Sequence, residues 1–237
     1  MKYDFDSYSD IGGRKNNEDS YIVYEDENGL IAAVGDGLGG YESGEVASKM
    51  LTDEMLFCFK SEREFDIERA IHSANQKIII EQKQNSIRRS MKTTAAAVWI
   101  GKDVTTFANI GDSRIYAFKN NQIIFQSRDH SLAQLAVQRG EIFPEQVRDY
   151  FQKNTITRAL GQGDEIKVDI NKVDNDSYDS ILICSDGFWE YVLENEMCIA
   201  LKESKGAKQW LNIMRNIHFC RISDNNDNNT AVVIMKK

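Results

Sequence analysis

Apolar residues recur along this chain with two different periods, and the alternation between them maps out the elements. Short apolar or alternating runs, bounded by Gly, Asn and Asp, predict strands at 4–9, 20–25, 30–35, 94–100, 104–110, 114–119, 122–127, 166–173, 180–184 and 230–235. The turn at 25–29 makes the second and third a hairpin. The four runs between 94 and 127, joined by turns at 101–103 and 120–121, read as one antiparallel meander. Helical spacing places Val46, Ala47, Met50, Leu51 and Met55 on one face of a helix over 43–59, and Ile67, Ala70, Ile71, Ala74 and Ile78 on one face of another over 66–84. Short helices are expected at 131–139, capped by Ser131 or Asp129, and at 144–152, with further ones near 194–202 and 205–217. The polar stretch 174–179 reads as a solvated turn. Strand runs interleaved with helix pairs give an α+β class, a β-sandwich covered by helices.

Composition narrows this picture. Among 237 residues, 41% are hydrophobic, enough for a sizeable core, and Pro144 is the single proline. With no linker-like stretch and no repeat, one domain over 1–237 is the expectation. A net charge of −8 argues against nucleic acid and anionic membranes as partners. Cys58, Cys184, Cys198 and Cys220 form no Cys-x-x-Cys pair and are expected as buried free thiols of a reducing compartment. His72, His130 and His218 are too scattered to argue for zinc. The N-terminus lacks a signal-peptide core, and no run approaches the ~20 apolar residues of a membrane span, so a soluble, cytoplasmic protein is expected.

The chemistry sits at strand ends. Asp36 follows the apolar run 30–34, Asp112 follows 107–110, Asp186 follows 181–184, and Asp227 stands just before 230–234. Converging carboxylates repel one another unless a cation holds them together, which points to a hard-metal enzyme. Other motifs compete. Gly35-Asp36-Gly37-Leu38-Gly39-Gly40 matches the dinucleotide fingerprint, but the chain then runs into a second helix and antiparallel strands rather than a parallel return. Asp224 to Asn229 begins like a calcium loop, yet has Asn229 and Met235 where that loop needs Gly and Glu, so an Asx-rich turn is the better reading. No Gly-x-Ser-x-Gly elbow supports a nucleophilic serine. Arg14 by itself is a turn charge; beside a metal cage its planar fork suits phosphate oxygens.

Arg14 with Asn17-Glu18-Asp19, Asp36-Gly37-Leu38-Gly39-Gly40, Thr93-Thr94, Gly111-Asp112-Ser113-Arg114, Asp129-His130-Ser131, Arg158-Ala159-Leu160-Gly161, Ser185-Asp186-Gly187 and Asp227-Asn228-Asn229-Thr230 occur in that order from residue 14 to residue 230. Together they resemble the metal-dependent Ser/Thr protein phosphatase family, type 2C (PPM), in a bacterial-type single-domain form. The resemblance implies a four-layer α-β-β-α sandwich, two antiparallel β-sheets flanked by helix pairs, with a flap-like segment at about 131–157. It implies that Asp36, Asp186 and Asp227 hold a first metal and that Asp36 bridges to a second, helped by the Gly37 carbonyl and, through water, by Glu18. Asp112 and Asp186 would form a weaker third site, Arg14 would bind the phosphoryl group, and Asp19 and Asn228 would support the ligands from behind. Two departures stand out: Leu38 where animal members carry a histidine proposed as general acid, and Lys92 where glycine is usual.

The implied chemistry needs no protein nucleophile. Two Mn²⁺ or Mg²⁺ ions sharing Asp36 would activate a bridging water for in-line attack on a phosphoserine or phosphothreonine, a phosphoric monoester hydrolysis that reverses Ser/Thr kinase signalling. The expected partners are phosphorylated proteins, a Ser/Thr protein kinase and its substrates, with no nucleic acid or membrane and the chain a monomer. Two alternatives carry less: a phosphatase dedicated to one regulator, for which the chain lacks a sensory domain, and a non-enzymatic metal-binding module, against which stands the full set of carboxylates.

Overall fold

Leu30, Ala32 and Val34 alternate with Ile31 and Ala33 along one strand, and the two sets are buried in different cores. A strand apolar on both faces must be covered on both faces, and this requirement organises the fold. The structure is a computed structural model that describes residues 3–39, 43–62 and 64–237. Gly40, the last glycine of the dinucleotide-like motif, lies outside the described residues.

Among the described residues the strands are β1 (Tyr3–Asp10), β2 (Asp19–Asp26), β3 (Gly29–Leu38), β4 (Lys92–Thr93), β5 (Ala95–Ile100), β6 (Val104–Ile110), β7 (Arg114–Lys119), β8 (Gln122–Gln126), β9 (Asp169–Asp174), β10 (Ser180–Cys184) and β11 (Asn229–Lys236). The helices are α1 (Gly44–Ser61), α2 (Ile67–Gln84), α3 (Leu132–Gln138), α4 (Asp186–Trp189), α5 (Glu194–Glu203) and α6 (Ala207–Phe219). One sheet runs β1-β11-β10-β7-β8; the other runs β2-β3-β5-β6-β9, with β4 paired to β3. Leu30, Val98, Phe107, Ile183 and Val232 fill the space between the sheets. Ile31, Ala97 and Ala108 face outward onto Leu51, Met55, Ile71 and Ile78 of α1 and α2. Leu182, Ala231 and Val233 face outward onto Met197, Trp210 and Met214 of α5 and α6. The result is the expected α-β-β-α stack.

Local chemistry sets the helix starts. Asp66 caps α2 by accepting from Arg69 N at 2.9 Å, and Ser131 caps α3 by accepting from Gln134 N at 3.2 Å. For α6 the cap comes from across the chain, where Asp4 Oδ2 accepts from Ala207 N at 2.9 Å. No helix among the described residues is long and apolar enough to cross a membrane.

Five expectations need correction. The meander of 94–127 is two hairpins in different sheets: β6 pairs with β5 and β9, whereas β7 pairs with β10 and β8. The chain changes sheets at Gly111-Asp112-Ser113, where Gly111 takes φ +104° against Thr94. The stretch 174–179 is not solvated throughout, because Asn175 and Tyr178 are buried. The Asn175 amide accepts from Thr105 Oγ1 at 2.6 Å and donates to the Gly101 carbonyl at 2.9 Å, so a polar residue is satisfied inside. Residues 144–152 form only a 3-10 turn, Pro144–Asp149, and the strand expected at 166–173 begins at Asp169. All four thiols are free, but Cys198 is half-buried and Cys220, at the solvent end of α6, is exposed.

Candidate metal and phosphate site

Five carboxylates from five separate segments meet at one end of the sandwich. Glu18, Asp36, Asp112, Asp186 and Asp227 line a single cleft of about 680 Å³ together with Arg14, Gly37 and Asn228. Arg14 and Lys15 are the only cationic residues on its described walls. Every predicted metal and phosphate residue is therefore in the same place, and Asp19 stands directly behind it.

The backbone explains the convergence. Asp36 lies in β3 opposite Asp19 of β2, and its N–H donates to Thr94 Oγ1 at 2.9 Å. Gly37 N donates to the Glu18 carbonyl at 3.1 Å, and a Cβ at Gly37 would collide with the backbone of Gly44 at the start of α1. Glycine is required there for the helix start to approach the strand. Asp186 opens α4 directly after β10. Its neighbour Ser185 donates to Asp19 Oδ2 at 2.8 Å and accepts from Thr230 N at 3.0 Å, which locks β10 to β11 at the cleft.

Asn228 gathers the rim. Its Oδ1 accepts from Glu18 N at 2.8 Å, and its Nδ2 donates to the carbonyls of Ile11 at 2.7 Å and Asn16 at 3.0 Å. The segment around it is an Asx-rich turn rather than a calcium loop, and it carries Asp227 into the cleft: Asn226 N donates to Ser223 O at 3.1 Å and Asn228 N to Asp227 Oδ1 at 2.8 Å. Arg14 reaches across to Asp227, Nη2 to Oδ2 at 2.7 Å.

Asp112 is held by two groups. Gly111 N donates to His130 Nδ1 at 3.1 Å, and the Asp112 carbonyl accepts from Trp189 Nε1 at 3.0 Å. Nδ1 accepts here, and Nε2 faces both Asp169 Oδ2 and Arg158 Nη1 at 3.2 Å. Burial pushes the His130 pKa down. His130 is thus a structural staple and Ser131 a helix cap; neither forms part of a nucleophilic triad.

The buried carboxylates of the cleft repel one another. Burial, then repulsion from Asp186, Asp19, Asp112 and Asp227, drives the Asp36 pKa well above the usual carboxylate range. Asp112 is driven up likewise, by burial and by Asp186 and Asp129. Asp186 is pushed up to about 7, by burial first and then by Glu190, Asp227 and Asp19. Asp19 is pushed up to about 6, chiefly by burial. One oxygen of Asp112 and one of Asp19 are buried with no hydrogen-bond partner. Buried acceptors left without donors are costly. All-oxygen donors are the kind a hard divalent cation takes, although among the described residues no three of these carboxylates are grouped closely enough to hold one as they stand.

The dinucleotide-like motif is explained by the same geometry. Every strand pairing among the described residues is antiparallel, and α1 leads into α2 rather than into a parallel strand. A larger cavity, about 840 Å³, opens beside Arg148 and Lys153. Its cations are already matched, Arg114 with Asp129 at 2.8 Å, Arg148 with Glu194 at 2.9 Å and Lys153 with Glu190 at 2.6 Å. Sequence reasoning missed Asn154 and Ile156, which reach the cleft from the 131–157 segment, and Trp189, which supports Asp112. The one available signal for Trp189 was its position three residues after Asp186.

Comparison with known proteins gives a consistent set of matches. Residues 8–218 match the family model for protein phosphatase 2C. The serine/threonine phosphatase stp of Listeria welshimeri is 33% identical over 205 residues, covering 83% of this chain and 81% of the relative. The crystal structure of the serine/threonine phosphatase Stp1 from Staphylococcus aureus superposes with a TM-score of 0.90 at 27% identity, covering 100% of this chain and 96% of that one. The catalytic domain of the protein phosphatase PstP, solved in complex with two manganese ions, superposes with a TM-score of 0.83 at 27% identity, covering 98% and 97%.

Proposed function

The chain belongs to the protein phosphatase 2C family, and from that premise we propose how its cleft divides the work of hydrolysing phosphoserine and phosphothreonine in proteins. It is a metal-dependent serine/threonine phosphatase, and the observation that carries the assignment of its site is the meeting of five carboxylates and one guanidinium in a single cleft. Asp36, Asp186 and Asp227 would hold one divalent cation. Asp36, the Gly37 carbonyl and Glu18 would hold a second, and Asp112 with Asp186 a weaker third. Mn²⁺ and Mg²⁺ both suit these donors. Bound cations would supply Lewis acidity and lower the pKa of water in the cleft.

The chain's own residues do the rest. Arg14 offers its planar fork to the phosphoryl oxygens, and its contact with Asp227 keeps that fork at the cleft mouth. Asn228 and the pair Asp19–Ser185 hold the carboxylates in position, so little reorganisation is needed on binding. Leu38 lines the cleft and has no proton to give, so the leaving alkoxide takes its proton from water or from another group of the cleft. We read residues 1–237 as one catalytic domain, since both sheets contribute to the cleft, and 131–157 as the segment that flanks it. We further place the enzyme, a monomer, in the reducing environment of the cytoplasm, in keeping with its free thiols. There it would reverse the action of a Ser/Thr protein kinase on that kinase's substrates.

The test is release of phosphate from a phosphothreonine peptide. Turnover is expected with Mn²⁺, with none in chelator and none in Asp36→Asn. Full activity in chelator would overturn the metal assignment.

A further inference from the structure

Leu38 and Lys92 are direct partners across the β3–β4 ribbon, so their side chains leave the same face of it. Leu38 borders the carboxylate cleft and also a second groove of about 380 Å³. Asn154 and Ile156 line both as well, so cleft and groove adjoin along a shared wall. Ser90, Lys92 and Gln162 complete the groove. Its character differs from that of the cleft: among the described residues no carboxylate lines it, and Lys92 is its only charged residue.

Lys92 is half-buried, yet among the described residues its ammonium has no ion pair and no hydrogen-bond partner. Arg88, four residues earlier, is by contrast matched to Glu81 at 2.6 Å. An unmatched ammonium held partly out of water, on a chain of net charge −8, is a place where an anion gains. The phosphoryl group itself belongs in the cleft with Arg14. What must cross the rim beside it is the polypeptide on one side of the phosphorylated residue. We propose that this groove receives that flank, its apolar wall of Leu38 and Ile156 taking an aliphatic stem, and that Lys92 selects an acidic side chain there.

The inference rests on the phosphoprotein phosphatase reading above, and the experiment separates the two. Four phosphothreonine peptides are compared, with Asp or Lys in the three positions before or the three positions after the phosphothreonine. Each is assayed with the Mn²⁺-loaded wild type, Lys92→Gln and Lys92→Glu, and p-nitrophenyl phosphate, which has no flank, is the reference substrate. On one flank the wild type is expected to favour the acidic over the basic peptide in kcat/KM by about fivefold. Lys92→Gln should bring that ratio near one and Lys92→Glu should invert it. The opposite flank should not respond. A ratio that is the same in all three proteins on both flanks would overturn the role of Lys92 and leave the phosphatase reading standing. If the wild type turns over p-nitrophenyl phosphate but none of the peptides, both fall.

Discussion

Two clusters of charge lie within a few residues of each other, one around Asp36 and one around Arg114, and they are built on opposite principles. Around Arg114 every charge is answered. Its Nε and Nη2 donate to the two oxygens of Asp129 at 2.9 and 2.8 Å, and its Nη1 donates to Tyr116 Oη at 3.0 Å and to Glu194 at 3.3 Å. The guanidinium also lies 3.4 Å over the ring of Trp189. Around Asp36 the carboxylates face one another, and two nearby acceptor oxygens have no donor at all. Folding alone completes the first cluster; it leaves the second unmet. Burial of charge therefore distinguishes nothing by itself, whereas an unmet balance of charge marks the place where a ligand enters.

The largest expected effect comes from the unmet balance. Asp36→Asn should abolish turnover and weaken Mn²⁺ binding measured by calorimetry, while the chelated protein becomes no less stable, because the amide replaces a buried group that is costly to ionise there. A pH dependence accompanies it. The folded-state pKa of Asp186 is raised from 3.8 to about 7, so across that window the folded chain holds a proton that the unfolded chain has lost. The chelated protein should therefore lose stability as pH rises from about 4 to about 7, and saturating Mn²⁺ should remove most of that slope. A melting temperature that climbs with pH in chelator would contradict the picture.

The matched cluster should respond the other way. Asp129→Asn leaves a buried guanidinium without its bidentate partner, and should cost ~3–5 kcal/mol of unfolding free energy in denaturant titrations. The loss should fall on stability far more than on Mn²⁺ affinity. A tenfold change in Mn²⁺ Kd with unchanged stability would mean that the two clusters are one functional unit after all.

This contrast also explains what could be read from the sequence. The strands and the two long helices were legible because their apolar positions repeat, and Asp36, Asp186 and Asp227 were legible because each stands at the edge of such a run. The change of sheet at Gly111-Asp112-Ser113 was not, since a three-residue link between two strands has the same pattern whether it closes a hairpin or crosses a sandwich. Asn175 was misread because hydropathy registers polarity and not the satisfaction of polarity. The Arg114 network was invisible for a related reason: Arg114, Asp129, Arg148 and Glu194 come from separate elements, and only the folded topology shows that they answer one another.

Arg14 stands between the two principles, as a cation inside the unmatched cluster. Its pair with Asp227 is more than one-third exposed on both sides and is worth little to stability. Arg14→Ala should therefore lower kcat/KM on a phosphopeptide by the equivalent of ~1.5–3 kcal/mol while leaving the melting temperature nearly unchanged. Mn²⁺ affinity should hold or rise, because Asp227 is released to the metal. Unchanged kcat/KM would remove Arg14 from the phosphate site, and lost Mn²⁺ binding would make it a structural part of the metal site.

The smallest effect expected is at Leu38, on the wall between cleft and groove. A p-nitrophenolate leaves without help, whereas a serine alkoxide is a far stronger base and gains from a proton donor in the transition state. Leu38→His should then raise kcat/KM on a phosphoserine peptide by about tenfold at most, and leave that on p-nitrophenyl phosphate within packing effects. Leu38→Ala supplies the control, since it opens the wall without adding an acid. If histidine changes both substrates by one common factor, it acts only through packing, and the missing-acid argument at Leu38 falls.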